Sequence, residues 1–376
     1  MAGAVESVHR YTITVPASTR AATQDLTGDG ITTANSIPFV TKRISTAETG
    51  AEKHSGFQPD VWFSDSTTIT VERDVATSDS VLTVEVTVVE FDGARVDVDT
   101  GTFQLTSGGA NDFTVTAAIG TALDTGWATS AFMVFHSYQH SDDIAYSSSL
   151  IRGRITAADT LTFDRGDNGG TADGHWFVAQ ALSGDFTVEA LDIQLSAVAS
   201  ANGTIGAVDM GKTFLVGSWK SDDTTTQRND HNTCDISLTT TTNINVQRAS
   251  ATGVIDWSGF AIKTTDGTKV QRATISAETG SPMPINVTLS PAIVDARSMA
   301  ISPGNMGSTC VGSFPSAVSD TGDLMDGMSG MKLTTTTNLQ IEHLTNGGEA
   351  DNDISWEVIE WGTGGAGPAP RRVMVR

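Results

Sequence analysis

Two loops carry the most chemistry-ready side chains in this sequence. His140-Ser141-Asp142-Asp143 follows the apolar run Ala131–Phe135 (AFMVF), and Lys220-Ser221-Asp222-Asp223 follows Thr213–Gly217 (TFLVG) and Trp219. Paired carboxylates beside a cation or an indole can contact a polar ligand. His140, Asp142, Asp143, Trp219, Lys220, Asp222 and Asp223 are therefore the candidate ligand-binding residues. The same residue types also make a hydrated loop tip. Two further Asp clusters have the chemistry to hold calcium: Asp25-Leu26-Thr27-Gly28-Asp29-Gly30, and the trio Asp320, Asp323 and Asp326. The first resembles half of a calcium loop without its closing Glu. Solvated Asx-turns account for both, so no metal is expected.

Catalytic patterns are missing from the sequence. The 7 His residues are scattered, with no HExxH, GxSxG or CxxC pattern and no Gly-rich phosphate loop ending in Lys-Ser or Lys-Thr. With 44 acidic residues, carboxylate pairs arise by chance and carry no weight. Neither an enzyme nor a cofactor is expected. Cys234 and Cys310 cannot make a disulfide framework and are expected to be reduced. A net charge of -22 argues against nucleic acid and anionic lipid as partners. No run of about 18 apolar residues predicts membrane insertion. Met1–Arg10 shows no apolar signal core. An external-looking composition without an export signal suits a virus particle assembled in the cytoplasm and released by lysis. The alternative location is extracellular or on a cell surface.

The elements that must position these residues are strands. Leu238–Arg248 (LTTTTNINVQR) and Leu333–His343 (LTTTTNLQIEH) align without a gap, and Phe63–Arg73 and Ile155–Arg165 fit the same eleven-residue frame. Its seventh and ninth positions are apolar in every copy: Ile69 and Val71, Leu161 and Phe163, Ile244 and Val246, Leu339 and Ile341. Alternation at period two marks half-buried strands. A second block follows each frame and aligns Trp176, Trp257 and Trp356, with Val86 in the first copy; this column reads as a core anchor. Arg73, Arg165 and Arg248 close the frame, with His343 in the last copy, as cations that pair with a carboxylate or cap carbonyls. Tyr11–Thr14, Phe113–Thr116 and Ile285–Thr288 read as first strands of their units. The cut is four tandem antiparallel β-sandwich units at 1–108, 109–199, 200–280 and 281–362, followed by a flexible basic tail at 363–376. In that tail Arg371, Arg372, Val373, Met374, Val375 and Arg376 are the candidate assembly residues.

The order of blocks, clearest from Asp112 to Leu182 with FTVT at its start and WFVAQAL at its close, resembles the H-type lectin domain. The resemblance implies an all-β, six-stranded antiparallel sandwich that associates as trimers and binds N-acetylgalactosamine-like sugars between protomers. Tandem Thr- and Gly-rich sandwiches also resemble, in style, structural proteins of tailed viruses. Together these imply a non-enzymatic virion component: a head decoration, collar, tail or fibre subunit. Its partners would be copies of itself, as trimer or hexamer, other virion proteins and host-surface glycans. A glycan-binding lectin array and a bacterial surface adhesin are the alternatives.

Overall fold

The computed structural model describes residues 3–44, 58–74, 81–107, 113–140, 146–167, 169–222, 232, 234–248, 251–277, 284–303, 329–343 and 352–362. The first unit runs β1 (Val5–Val15), β2 (Ala21–Asp25), β3 (Ser36–Ile44), β4 (Asp60–Asp65), β5 (Thr68–Glu72) and β6 (Leu82–Phe91). The second runs β7 (Val96–Leu105), β8 (Thr114–Ala118), β9 (Ala131–His140), β10 (Ile151–Ala157), β11 (Thr160–Arg165) and β12 (Thr171–Ala181). The third runs β13 (Phe186–Ser196), β14 (Ser200–Thr204), β15 (Thr213–Ser221), β16 (Asp235–Thr240), β17 (Asn243–Gln247) and β18 (Val254–Thr264). The fourth runs β19 (Lys269–Ala277), β20 (Ile285–Thr288), β21 (Ser298–Ile301), β22 (Ser329–Thr335), β23 (Asn338–His343) and β24 (Asn352–Glu360). Each unit pairs its first, sixth and third strands in one sheet and its second, fifth and fourth in the other. The expected all-β sandwiches of six antiparallel strands are present four times. A single four-residue α-helix, Tyr146–Ser149, interrupts them among the described residues.

The eleven-residue frame is the hairpin of the fourth and fifth strands. All four copies slip register at the same place, between Phe63 and Asp65, Ile155 and Ala157, Leu238 and Thr240, and Leu333 and Thr335. Positions seven and nine lie two apart on the fifth strand and so share its core-facing side, while the bulge places one extra residue on the fourth strand just before the turn. All eight of those side chains are fully buried.

The unit boundaries differ from those the sequence suggested. The cuts near 108, 199 and 280 fall inside units, because β7, β13 and β19 precede them and pair with the sixth strand of the unit that follows. The true linkers are the four-residue turns Asp92–Arg95, Leu182–Asp185 and Thr265–Thr268. Phe113–Thr116 and Ile285–Thr288 thus contribute to second strands, while Tyr11–Thr14 does lie in a first strand.

Trp176, Trp257 and Trp356 are all buried, as expected of a core column. Register adds a correction. Ala181, Thr264 and Trp361 each donate their N–H to the residue just before the third strand, which places Trp176, Gly259 and Trp356 at one position. Trp257 stands two residues earlier and lays its indole over that site. A Cβ on Gly259 would lie 2.2 Å from its Cζ2, and one on Gly101 would lie 2.5 Å from that of Trp176. Glycine is required at both places by the indole it faces.

The four units close into a cycle. The fourth strand of each packs on the sixth strand of the next: β4 on β12, β10 on β18, β16 on β24, and β22 on β6. The contacts repeat in detail. Asp60 accepts from the N–H of His175 across the first seam, and Asp235 accepts from the N–H of Ser355 across the third, both at 3.2 Å. Gly153 N–H donates to Ser218 Oγ across the second seam, and Met331 N–H donates to Thr41 Oγ1 across the seam joining unit four to unit one, both at 2.9 Å. One apolar cluster runs through all four units. It includes Phe91, Phe132, Phe214 and Trp361, with Trp361 edge-on to Phe91 (6.2 Å) and Phe214 (5.3 Å).

Candidate functional site

The polar side chains that the fold concentrates lie at the seams, and each seam has its own chemistry. At the first, Asp60 is buried against His175, with Oδ2 2.5 Å from Nδ1, and Trp62 stacks on the His175 ring at 4.5 Å. His136, the cross-strand neighbour of His175, is buried with Nε2 2.8 Å from the Pro38 carbonyl. Next to these, Arg20 donates to Tyr138 Oη and pairs with Glu72.

Lys220 belongs to the second seam. Its Nζ lies 2.8 Å from Asp164 Oδ2 and 3.8 Å from Asp256 Oδ2, while Arg152 grips Asp164 through Nε (3.0 Å) and Nη2 (2.6 Å). Arg152 and Lys220 together hold the Asp164 carboxyl below the usual carboxylate range, against the opposing effect of burial, which is the largest single influence. At the third seam Arg272 binds Glu357, which is fully buried; burial raises its pKa and Arg272 pulls it down. The fourth carries Arg10–Asp295 (2.5 Å), Arg43–Glu342 (2.5 Å) and Lys332–Glu85 (3.3 Å).

The candidate residues do not converge. Trp219 is buried and donates Nε1–H to the Asn232 carbonyl at 2.9 Å, so its ring offers no face to a ligand. Lys220 is committed to Asp164. Asp222 accepts the Val254 N–H at 2.6 Å and closes a strand end. His140 ends β9 opposite Thr171. By strand register its counterpart is Asp222 rather than Lys220, so the two Ser-Asp-Asp loops are offset by two residues. Asp142, Asp143 and Asp223 lie outside the described residues, as do Asp320, Asp323, Asp326 and the tail from 363, including Arg371, Arg372, Val373, Met374, Val375 and Arg376. Asp25 receives the Thr27 N–H at 2.7 Å as an Asx-turn, and Asp29 accepts from Tyr11 Oη at 2.7 Å. Among the described residues no cluster of three or more His, Cys, Asp or Glu is placed to hold a metal ion.

The Arg column caps carbonyls. Arg165 donates to the carbonyls of Gly169 and Gly170 (both 2.8 Å), Thr106 (3.2 Å) and Ser148 (3.3 Å). Arg73 does so to Pro16 (2.8 Å) and Thr19 (3.2 Å), and Arg248 to Gly253 (2.8 Å) and Val198 (3.1 Å). All three are buried.

Sequence reading missed the seam residues Asp60, Arg152 and Asp235, although a signal was present. Each is a charged residue thirteen positions before the column arginine of its own unit, three places before the first residue of the eleven-residue frame.

The first seam makes stability depend on pH in two opposed ways. Burial raises Asp60 to about 6, against the pull of the His175 hydrogen bond. Burial lowers His136 to about 4, reinforced by Lys42 and His175 and opposed by the Pro38 carbonyl. As pH falls through 6, folded Asp60 takes a proton that the unfolded chain still releases, which adds stability. As pH falls through 6.5, unfolded His136 takes a proton that the folded chain refuses, which removes stability. The two nearly cancel. Asp60→Asn removes only the first, so between pH 7 and pH 4 the variant is expected to lose about 3 kcal/mol more than the wild type. Parallel stability profiles for the two proteins, followed by urea unfolding, would refute this.

No protein-family model and no curated protein matches this sequence.

Proposed function

We propose that this protein is a non-enzymatic structural component of a tailed-virus particle, exposed as a decoration, collar, tail or fibre subunit. The observation that carries the reading is the closed cycle: four sandwiches locked by a different polar device at each seam and by one shared apolar cluster. Such a body is a stiff block suited to bearing load. The fourth strands and the sheet faces they cover are spent inside the cycle. Self-association and contacts with other virion proteins would therefore use the second strands β2, β8, β14 and β20, which are sheet edges with alternate side chains exposed.

A glycan-binding module on the host-facing side is the second reading. It is favoured by an open groove of about 590 Å³ on unit two, lined by Thr102, Gln104, Thr116, Asp173 and His175. Removing Gly362–Arg376 from a tagged copy should leave the sandwiches folded and lower its occupancy on purified particles. A protein that never sediments with particles would overturn the structural reading, whereas a truncated form incorporated at wild-type occupancy would leave the contacts to the second-strand edges alone. Retention on a glycan array without particle association would favour the second.

A further inference from the structure

His175 carries more chemistry than its seam requires. Unit four fills the same position with a serine: Ser355 donates its N–H to Asp235 Oδ1 at 3.2 Å and its hydroxyl to Oδ2 at 2.8 Å. His175 holds Asp60 in the same way, N–H to Oδ1 at 3.2 Å and Nδ1 to Oδ2 at 2.5 Å. The imidazole therefore adds one polar atom that the lock leaves unused, Nε2. That atom makes no hydrogen bond among the described residues, and it is not sealed in the seam: the His175 side chain is 24% exposed. Its placement is fixed. Buried Asp60 holds Nδ1, and Trp62, which stands where the third seam has Ser237, covers one ring face with the two planes 2° apart.

The space beside His175 is open in unit two and closed in unit four. Thr102 lies directly across the sheet from His175, as Thr274 does from Ser355. Thr274 and Ser355 bond each other through their hydroxyls at 2.9 Å. Thr102 makes no such bond to His175, and both border the groove of about 590 Å³. Gln104 and Asp173, joined at 2.7 Å, border it one cross-strand pair further on; Thr116 adds a hydroxyl, and Val115 and Ala117 an apolar side. No Lys or Arg does. With Nδ1–H given to the Asp60 carboxylate, Nε2 of the neutral ring presents a lone pair, and Asp173 adds carboxylate oxygens. Such a site suits a ligand that donates hydrogen bonds and carries no negative charge. We infer that the groove binds a neutral saccharide, one of whose hydroxyls donates to His175 Nε2 while others meet Thr102, Thr116 and the Gln104–Asp173 pair. Its volume is that of a small-molecule site. The assignment rests on the glycan-binding reading and adds to it the class of sugar and its anchor.

An array of neutral and acidic glycans, probed with the full-length protein at pH 8, tests this, followed by calorimetric titration with the neutral glycan most strongly retained. At that pH Asp60, raised to about 6, is a carboxylate. Neutral glycans should be retained, with acidic ones at least about tenfold weaker. His175→Ser rebuilds the lock of unit four without Nε2; it should fold and weaken binding by about tenfold or more. Thr116→Met, at an exposed position on β8 away from the seam, puts a longer uncharged side chain into the groove. It should weaken binding by a similar factor whether or not His175→Ser folds. An array that retains nothing would overturn this assignment and the glycan reading together. Retention unchanged in the folded variants would overturn the assignment alone and move glycan binding to another surface. Acidic glycans held as tightly as neutral ones would likewise overturn it.

Discussion

Replacing Arg165 with Met is expected to cost about 3–5 kcal/mol of stability, more than most single substitutions. The methionine keeps an apolar stem of similar length, so little packing is lost. What is lost is the planar fork that serves four carbonyls at once, from the first turn of the unit (Thr106), the helix (Ser148) and the turn before the last strand (Gly169 and Gly170). Each buried acceptor left without a donor costs about 1–3 kcal/mol, and entering water recovers part of that. Arg165→Lys should fall between, because one ammonium cannot span both loops. Arg73→Met and Arg248→Met should behave alike, since those residues also tie the first turn of their units to the frame. Urea unfolding that shifts by less than about 1 kcal/mol for all three would show that the column is dispensable.

Much of this was legible in the sequence because the frame is local. Apolar positions seven and nine, a Thr-rich turn and a closing arginine lie within eleven residues, so the hairpin and its burial could be read directly. The closing strand with its Trp column was nearly as clear, apart from unit three. There Gly259 occupies the Trp position and Trp257 covers it from two residues away, a substitution that no alignment of residue types reveals. First strands were harder. Val96–Leu105 alternates toward solvent through Asp97 and Asp99, and its tight entry turn is less conspicuous than the Ser- and Gly-bearing segment that follows it. The seams were least legible. Asp60 meets His175 over 115 residues of chain and Asp235 meets Ser355 over 120, so neither pair leaves a spacing that sequence alone reports. The candidate loops failed for a related reason. Lys220 has the look of a free cation until β10 and β11 bring Arg152 and Asp164 beside it.

The cycle should unfold as one body, and a fragment ending at Thr268 should not hold the native fold. Four sandwiches strung loosely would melt independently, each on its own core. Here the inner clusters of units one, three and four are separate, but the largest cluster draws side chains from every unit. Removing unit four takes Val270, Met299, Ile301, Ile359 and Trp361 out of that cluster, all of them buried. At about 1.5–3 kcal/mol for each large buried side chain, their loss removes on the order of 10 kcal/mol, comparable with the whole stability of an ordinary domain. The same cut leaves Thr41 Oγ1, which both donates to the Met331 carbonyl and accepts its N–H, without either partner. It also strands Asp235 without Ser355. Units one and three therefore each lose a neighbour, and unit two loses the rigid flanks that hold Asp60 and Lys220 against it. A single calorimetric transition is expected for the full chain, whose calorimetric and van't Hoff enthalpies agree. For residues 1–268, weak amide protection throughout units one and three is expected. Four resolved transitions, or a fragment with native protection in all three units, would show that the seams join finished domains rather than complete them.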